Sequence, residues 1–239
     1  MKKPVLIVKN ISHEGPGILT ELLEEEKIPF HLIDLHRGEI FPHVSDYAAV
    51  VILGGPDSAN DSTFKMKNEL DQIKEILSLK IPYLGICLGL QTLVKAGGGF
   101  IKKNKIPEIG WIDPEGNPFQ VKWTDFGKSD PISHNLSDTL PVFHLHGETV
   151  ELTKDMKLLA TGAFCENQIV RVGEFAYGIQ SHFELTEGMV LSWLEKDPDL
   201  QKLNQEEMVQ YFQKIKSEYQ RVGRQIFRNF LQIAGLVYS

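Results

Sequence analysis

Pro82-Tyr83-Leu84-Gly85-Ile86-Cys87-Leu88-Gly89-Leu90-Gln91 is the stretch on which the fold turns: an apolar strand runs straight into an apolar helix, with a cysteine at the junction. Glycines stand two residues before and two after Cys87, where a sharp strand-to-helix turn needs small side chains so that the two chain segments can pass closely. Such a turn holds its central residue exposed and strained. The start of a helix adds aligned peptide dipoles that favour a thiolate over a thiol. Cys87 therefore reads as a nucleophile. The competing reading, a small buried hydrophobe between strand and helix, describes most lone cysteines. It suits Cys165, which has no elbow around it and no helix after it, and Cys165 is read as structural.

Upstream of the elbow, short β-branched runs alternate with amphipathic patterns, the signature of βαβ units and a parallel sheet covered on both faces. Val5 to Val8, Phe30 to Asp34, Ala48 to Leu53 and Pro82 to Ile86 read as strands, with helices at Gly15 to Glu26 and Phe64 to Leu79. From about residue 106 to 182, Gly, Pro and Asn punctuate short strand-like runs at Pro118 to Trp123, Leu158 to Gly162, Gln168 to Val172 and Phe175 to Gln180, and this half is expected to be largely antiparallel. Past Asp197-Pro198-Asp199, the residues Met208, Phe212, Ile215, Tyr219, Val222, Ile226 and Phe230 recur at threes and fours and predict one long helix with a single apolar seam. The expected organisation is a main domain over residues 1–197 and a C-terminal helical extension over 198–239, packed on it or available to a partner.

A chain of 239 residues that is 42% hydrophobic and 24% charged can bury a full core. Its formal net charge of −7 disfavours nucleic acid, which is held by clustered Lys and Arg. Two cysteines offer neither a disulfide framework nor a four-cysteine metal site and suit a reducing compartment, so a cytoplasmic location is expected. No apolar run reaches transmembrane length, and no membrane partner is expected.

A thiolate nucleophile needs a histidine to hold and return its proton, and that histidine needs an orienting group. Of the eight histidines, His182 closes the Tyr177 to His182 run and is followed two residues later by Glu184. In extended chain, residues two apart project to one face, so Glu184 can reach the imidazole. A lone His-x-Glu is common by chance and gains meaning only beside the elbow. Acyl transfer also needs donors for a developing oxyanion. Leu88 N–H follows from the elbow geometry, and Gly55 N–H, in the Gly54-Gly55-Pro56 loop after the third strand, is the second candidate, since paired glycines allow unusual backbone angles and close approach.

Three blocks, Gly54-Gly55-Pro56, Gly85-Ile86-Cys87-Leu88-Gly89-Leu90-Gln91 and Gly178-Ile179-Gln180-Ser181-His182-Phe183-Glu184, resemble in order and spacing those of the class I, triad-type glutamine amidotransferases. The resemblance covers roughly residues 3 to 190. It is nearest to stand-alone proteins similar to the glutaminase domain of GMP synthase, with further matches at Glu108-Ile109-Gly110-Trp111, His144-Leu145-His146-Gly147-Glu148 and Asn167-Gln168. It implies an α/β, flavodoxin-like fold with a central mostly parallel sheet, an added antiparallel portion and the C-terminal helix. It also implies Cys87, His182 and Glu184 as the triad, Gly55 and Leu88 as the oxyanion hole, and Gln91 with the Leu145, His146 and Gly147 segment as substrate contacts. No metal or cofactor is called for. Ser181 and Phe183 replace the Phe and Pro that commonly flank the histidine, and Glu148 stands where Asp is more usual.

Three functions compete. The first is glutamine hydrolysis through a γ-glutamyl thioester, with ammonia passed to a separate synthetase chain. The second keeps the triad but splits γ-glutamyl peptides or conjugates. The third is a non-catalytic α/β protein with an elbow cysteine, disfavoured by the His-x-Glu strand end.

Overall fold

The computed structural model describes residues 3–238. A nine-stranded sheet runs β2-β1-β3-β4-β11-β10-β9-β6-β7. Its strands are β1 (Val5–Lys9), β2 (Phe30–Asp34), β3 (Ala49–Ile52), β4 (Tyr83–Ile86), β6 (Gln120–Trp123), β7 (Thr139–Pro141), β9 (Lys157–Thr161), β10 (Ile169–Val172) and β11 (Ala176–Ile179). The β2-β1-β3-β4-β11 half is parallel throughout, and the remaining pairings are antiparallel. A separate antiparallel ribbon joins β5 (Phe100–Gly110) to β8 (His144–Glu151). The helices are α1 (Ile18–Glu25), α2 (Phe64–Ser78), α3 (Leu88–Ala96), α4 (Asp125–Lys128), α5 (Glu187–Lys196) and α6 (Gln205–Ile233).

The central parallel strands β1, β3, β4 and β11 are buried almost throughout because each face meets a different core. Val5 and Ile7 of β1, with Val51 and Leu84, pack toward α1 and α6, whereas Leu6 and Val8, with Val50, Ile52 and Tyr83, pack toward α2 and α3. The period of two thus sorts one strand's residues between two layers of helices. The predicted seam of α6 is buried at Met208, Phe212, Tyr219, Val222, Ile226 and Phe230, and these side chains belong to the same core as the sheet. α6 also touches the segment after β11, where Tyr219 Oη donates to the His182 carbonyl at 2.9 Å and accepts from Leu185 N–H at 3.4 Å.

Two expectations are revised. The β5–β8 ribbon escapes the strand patterning, because Lys102, Lys103, Lys105 and Pro107 break the apolar alternation that marks a half-buried strand, and the ribbon is largely exposed along that stretch. His182 does not end a strand: β11 stops at Ile179, and the chain continues extended until His182 exchanges backbone hydrogen bonds with Phe143.

Candidate active site

The carboxyl ends of β1, β3, β4 and β11 open on one cleft of about 640 Å³, the usual location of function in an open parallel sheet. Cys87 caps α3 with φ 51° and ψ −104°, a region that side-chain-bearing residues rarely occupy. The flanking glycines explain how the turn is possible. A Cβ on Gly85 would lie 2.2 Å from the Gly89 carbonyl oxygen, and one on Gly89 would lie 2.3 Å from that of Ile52. The turn is anchored by the Cys87 N–H, which donates to the Ile179 carbonyl at 2.7 Å, tying β4's end to β11.

His182 and Glu184, both buried, meet at 2.6 Å between Nδ1 and Oε1, as the two-residue spacing predicts. The other Glu184 oxygen accepts the Phe183 N–H at 2.9 Å. Burial lowers the basicity of His182, but the Glu184 carboxylate and a side-chain hydrogen bond with Cys87 outweigh it, holding the imidazole pKa well above 6.5. Trp193 and Phe143 set their rings edge-on to the imidazole, 5.0 and 6.2 Å away.

Leu88 and Gly55 lie at the ends of β4 and β3, and among the described residues neither N–H donates to another protein group. The paired glycines are needed for space and not for left-handed backbone: neither has a positive φ, yet a Cβ on Gly55 would come within 2.7 Å of Asn10 Cβ. Gln91 points its amide nitrogen at the Glu148 carbonyl, 3.3 Å, and at Gln180 Oε1, 3.4 Å. Gln180 in turn donates to Cys87 Sγ at 3.7 Å. Leu145, His146 and Gly147 line the cleft as expected, and the Leu145 carbonyl accepts from Cys87 Sγ at 3.8 Å. Cys165 lies apart, buried against Thr149 Oγ1 at 3.1 Å, and burial pushes its thiol up to about 11.

Glu14 is a cleft residue that sequence reasoning missed. A Cβ placed on Gly54 would sit 2.5 Å from Glu14 Oε2, 3.2 Å from His182 Cε1 and 3.5 Å from Cys87 Cβ, so this carboxyl converges on the Cys–His pair. Burial raises its pKa to about 7, against the opposing pull of His182. The available signal was its position in the loop just beyond β1, where parallel sheets place functional groups.

Among the described residues, Glu108, His144 and His146 bring three potential metal ligands within 4.8 Å of one another. His146 is already engaged: Nδ1 faces the Glu148 carbonyl at 3.0 Å, and Nε2 faces Glu108 Oε2 at 2.9 Å, a hydrogen-bond length. Gln168 Nε2 donates to that same Glu108 oxygen at 3.1 Å. The network fits a brace that locks β5 to β8 and so shapes the cleft wall at Leu145 to Glu148. Ser58 Oγ joins that wall to the Gly54-Gly55 loop by donating to Glu148 Oε2 at 2.8 Å.

Fold and cleft together define a doubly wound α/β protein with a cysteine elbow facing a histidine–carboxylate pair. The chain belongs to the class-I glutamine amidotransferase family, whose model matches residues 21–191. It is 27% identical over 188 residues to the glutamine amidotransferase-like protein YfeJ of Salmonella typhimurium, covering 76% of each chain. It is 29% identical over 182 residues to a subunit of the glutamine-hydrolyzing GMP synthase of Saccharolobus solfataricus, covering 75% of this chain and 82% of that protein. A solved glutamine amidotransferase from Thermotoga maritima superposes with a TM-score of 0.85 at 25% identity, over 97% of this chain and all of that one. Among the described residues no helix is long and apolar enough to cross a membrane.

Proposed function

We propose that the chain hydrolyses the side-chain amide of glutamine, with Cys87 as nucleophile, His182 as acid and base, and Glu184 as its orienting partner. The observation that carries this reading is the buried 2.6 Å His182–Glu184 contact, aimed at a cysteine held on a strained elbow. The Cys87 thiolate adds to the amide carbon, and the oxygen that takes up the charge is received by the Gly55 and Leu88 N–H groups. Protonated His182 gives its proton to the departing nitrogen, and ammonia leaves behind a γ-glutamyl thioester. Neutral His182 then removes a proton from water, which attacks the thioester and releases glutamate and the thiolate. Gln91 and the Leu145 to Gly147 wall hold the amino-acid end of the substrate. No cofactor or metal enters the scheme.

By analogy with its GMP synthase relatives, the ammonia is handed to a synthetase on a separate chain. Both cysteines are unpaired, which fits a reducing, cytoplasmic setting. The boundary near residue 197 is best treated as a topological one, since α6 contributes to the common core. A second reading, cleavage of γ-glutamyl peptides by the same groups, is favoured by the cavity that adjoins the cleft at Ile109.

Glutamate release from glutamine and from γ-glutamyl peptides tests the reading directly. His182→Ala is expected to abolish turnover, whereas Glu184→Gln loses less because it disturbs only tautomer and orientation. A larger loss for Glu184→Gln than for His182→Ala would show that His182 is not the proton carrier.

A further inference from the structure

A second cavity, about 620 Å³, opens beside the catalytic cleft. The two share Ile109, and one continuous segment walls both, with Lys196 to Asp199 on the cleft and Leu203 and Asn204 on the second cavity. Ile109 sits opposite Leu145 in the β5–β8 register, and the Leu145 carbonyl is the one that faces Cys87 Sγ. The two cavities are therefore adjacent, with Ile109 on the wall of both and one strand away from the Leu145 carbonyl.

Its lining is apolar in the main and includes Trp111, Ile112, Met208 and Tyr211. One charged group of its lining lacks a partner among the described residues. Lys214, at the mouth, forms no ion pair. Glu207, the acid among the lining residues, is held by Asn204 Nδ2 at 2.8 Å in the cap of α6. An apolar chamber with one free cation at its mouth suits a group with a hydrophobic side chain and a carboxylate.

Resting on the reading of Cys87 given above, we infer that this cavity is a leaving-group subsite, and that the chain accepts γ-glutamyl amides whose amine half is an apolar α-amino acid. The γ-glutamyl portion occupies the cleft as glutamine does, and the amine half passes Ile109 into the second cavity. The chemistry is unchanged: the C–N bond breaks, His182 protonates the departing amine, and water completes hydrolysis to glutamate and the free amino acid.

The test compares kcat/KM for glutamine, γ-glutamyl-glycine, γ-glutamyl-phenylalanine and γ-glutamyl-benzylamide, which keeps the ring but has no carboxylate. Phenylalanine over glycine is expected to gain roughly tenfold or more, the size of discrimination that an apolar pocket supplies. Lys214→Glu should lower the γ-glutamyl-phenylalanine rate by roughly three- to fivefold, as for an exposed ion pair, and leave γ-glutamyl-benzylamide and glutamine unchanged. Tyr211→Ala, which removes apolar wall, should weaken both aromatic substrates and spare glutamine. Turnover of glutamine with no preference for γ-glutamyl-phenylalanine over γ-glutamyl-glycine overturns the subsite while leaving the triad standing. Equal losses on all four substrates in Lys214→Glu and Tyr211→Ala overturn it as well, since that would mean a structural effect. If no γ-glutamyl compound of any kind is cleaved, the catalytic reading falls first and the subsite with it.

Discussion

Replacing Tyr219 with Phe removes one oxygen atom from a fully buried ring and nothing else, and it probes how the last helix governs a site built on the sheet. That oxygen donates to the His182 carbonyl at 2.9 Å and accepts from the Leu185 N–H at 3.4 Å, so the substitution leaves the Leu185 N–H without a partner and the His182 carbonyl with only the 3.5 Å bond from Phe143 N–H, in a dry environment. One normal and one long hydrogen bond, together with the burial of the orphaned Leu185 N–H, amount to about 2 kcal/mol. For a chain of this length that corresponds to a fall in Tm of about 4–8 °C. Because His182 hangs from the affected carbonyl, kcat should drop by about tenfold or more at a temperature where the variant is still folded, as small misplacements of a catalytic group do. Thermal unfolding followed by circular dichroism, paired with glutamate release at about 25 °C, measures both effects. Tyr211→Phe, in the same helix, serves as the control, since no hydrogen bond of its hydroxyl joins it to the protein among the described residues. A Tm within about 1 °C of the parent and an unchanged kcat would refute the claim that α6 holds His182 in place.

Two further substitutions probe buried groups. Glu69 is fully buried with Oε2 unpartnered, and burial raises its pKa from 4.5 to about 7 despite the opposing pull of Lys65, Thr92 and Asn10. The folded state therefore binds this proton more tightly than the unfolded chain, so its stabilising contribution is complete below pH 4.5 and is lost as pH rises through about 7. Glu69→Gln should flatten that decline and raise stability at about pH 8 by about 3 kcal/mol, seen as a higher urea midpoint; parallel pH profiles for variant and parent would contradict it. At the elbow, Cys87→Gly should be more stable than Cys87→Ala by about 1–3 kcal/mol, because glycine alone relieves the strain of φ 51°. Equal melting temperatures for the two variants would mean that the turn stores no strain.

The parallel half of the fold was readable because its central strands are buried on both faces, which leaves unbroken runs such as Val5 to Val8. The Cys87 elbow and the His182–Glu184 pair were readable for a local reason: glycine two residues either side of the cysteine, and a two-residue step in extended chain, are written directly into sequence spacing. What lay hidden depends on distant segments meeting. Glu14 approaches His182 only because β1 and β11 both end at the same cleft, and Tyr219 reaches the His182 carbonyl only because α6 folds back on the sheet. The seam of α6 announced a buried face but not what it would cover. The β5–β8 ribbon escaped notice because β5 is solvated along its lysine-rich stretch, which breaks the alternation, while β8 buries His144, His146 and Thr149, polar residues that do not read as a core face.

Exposure of the purified protein to a glutamine-analogue alkylating agent, followed by peptide mass spectrometry and by glutamate-release assays on Cys87→Ala, tests the central claim most directly. The expected result is a single modified cysteine, Cys87, with loss of all amide hydrolysis on labelling and in the Cys87→Ala protein. Modification of Cys165 in its place, or amide hydrolysis that survives in Cys87→Ala, would contradict the assignment of Cys87 as the nucleophile.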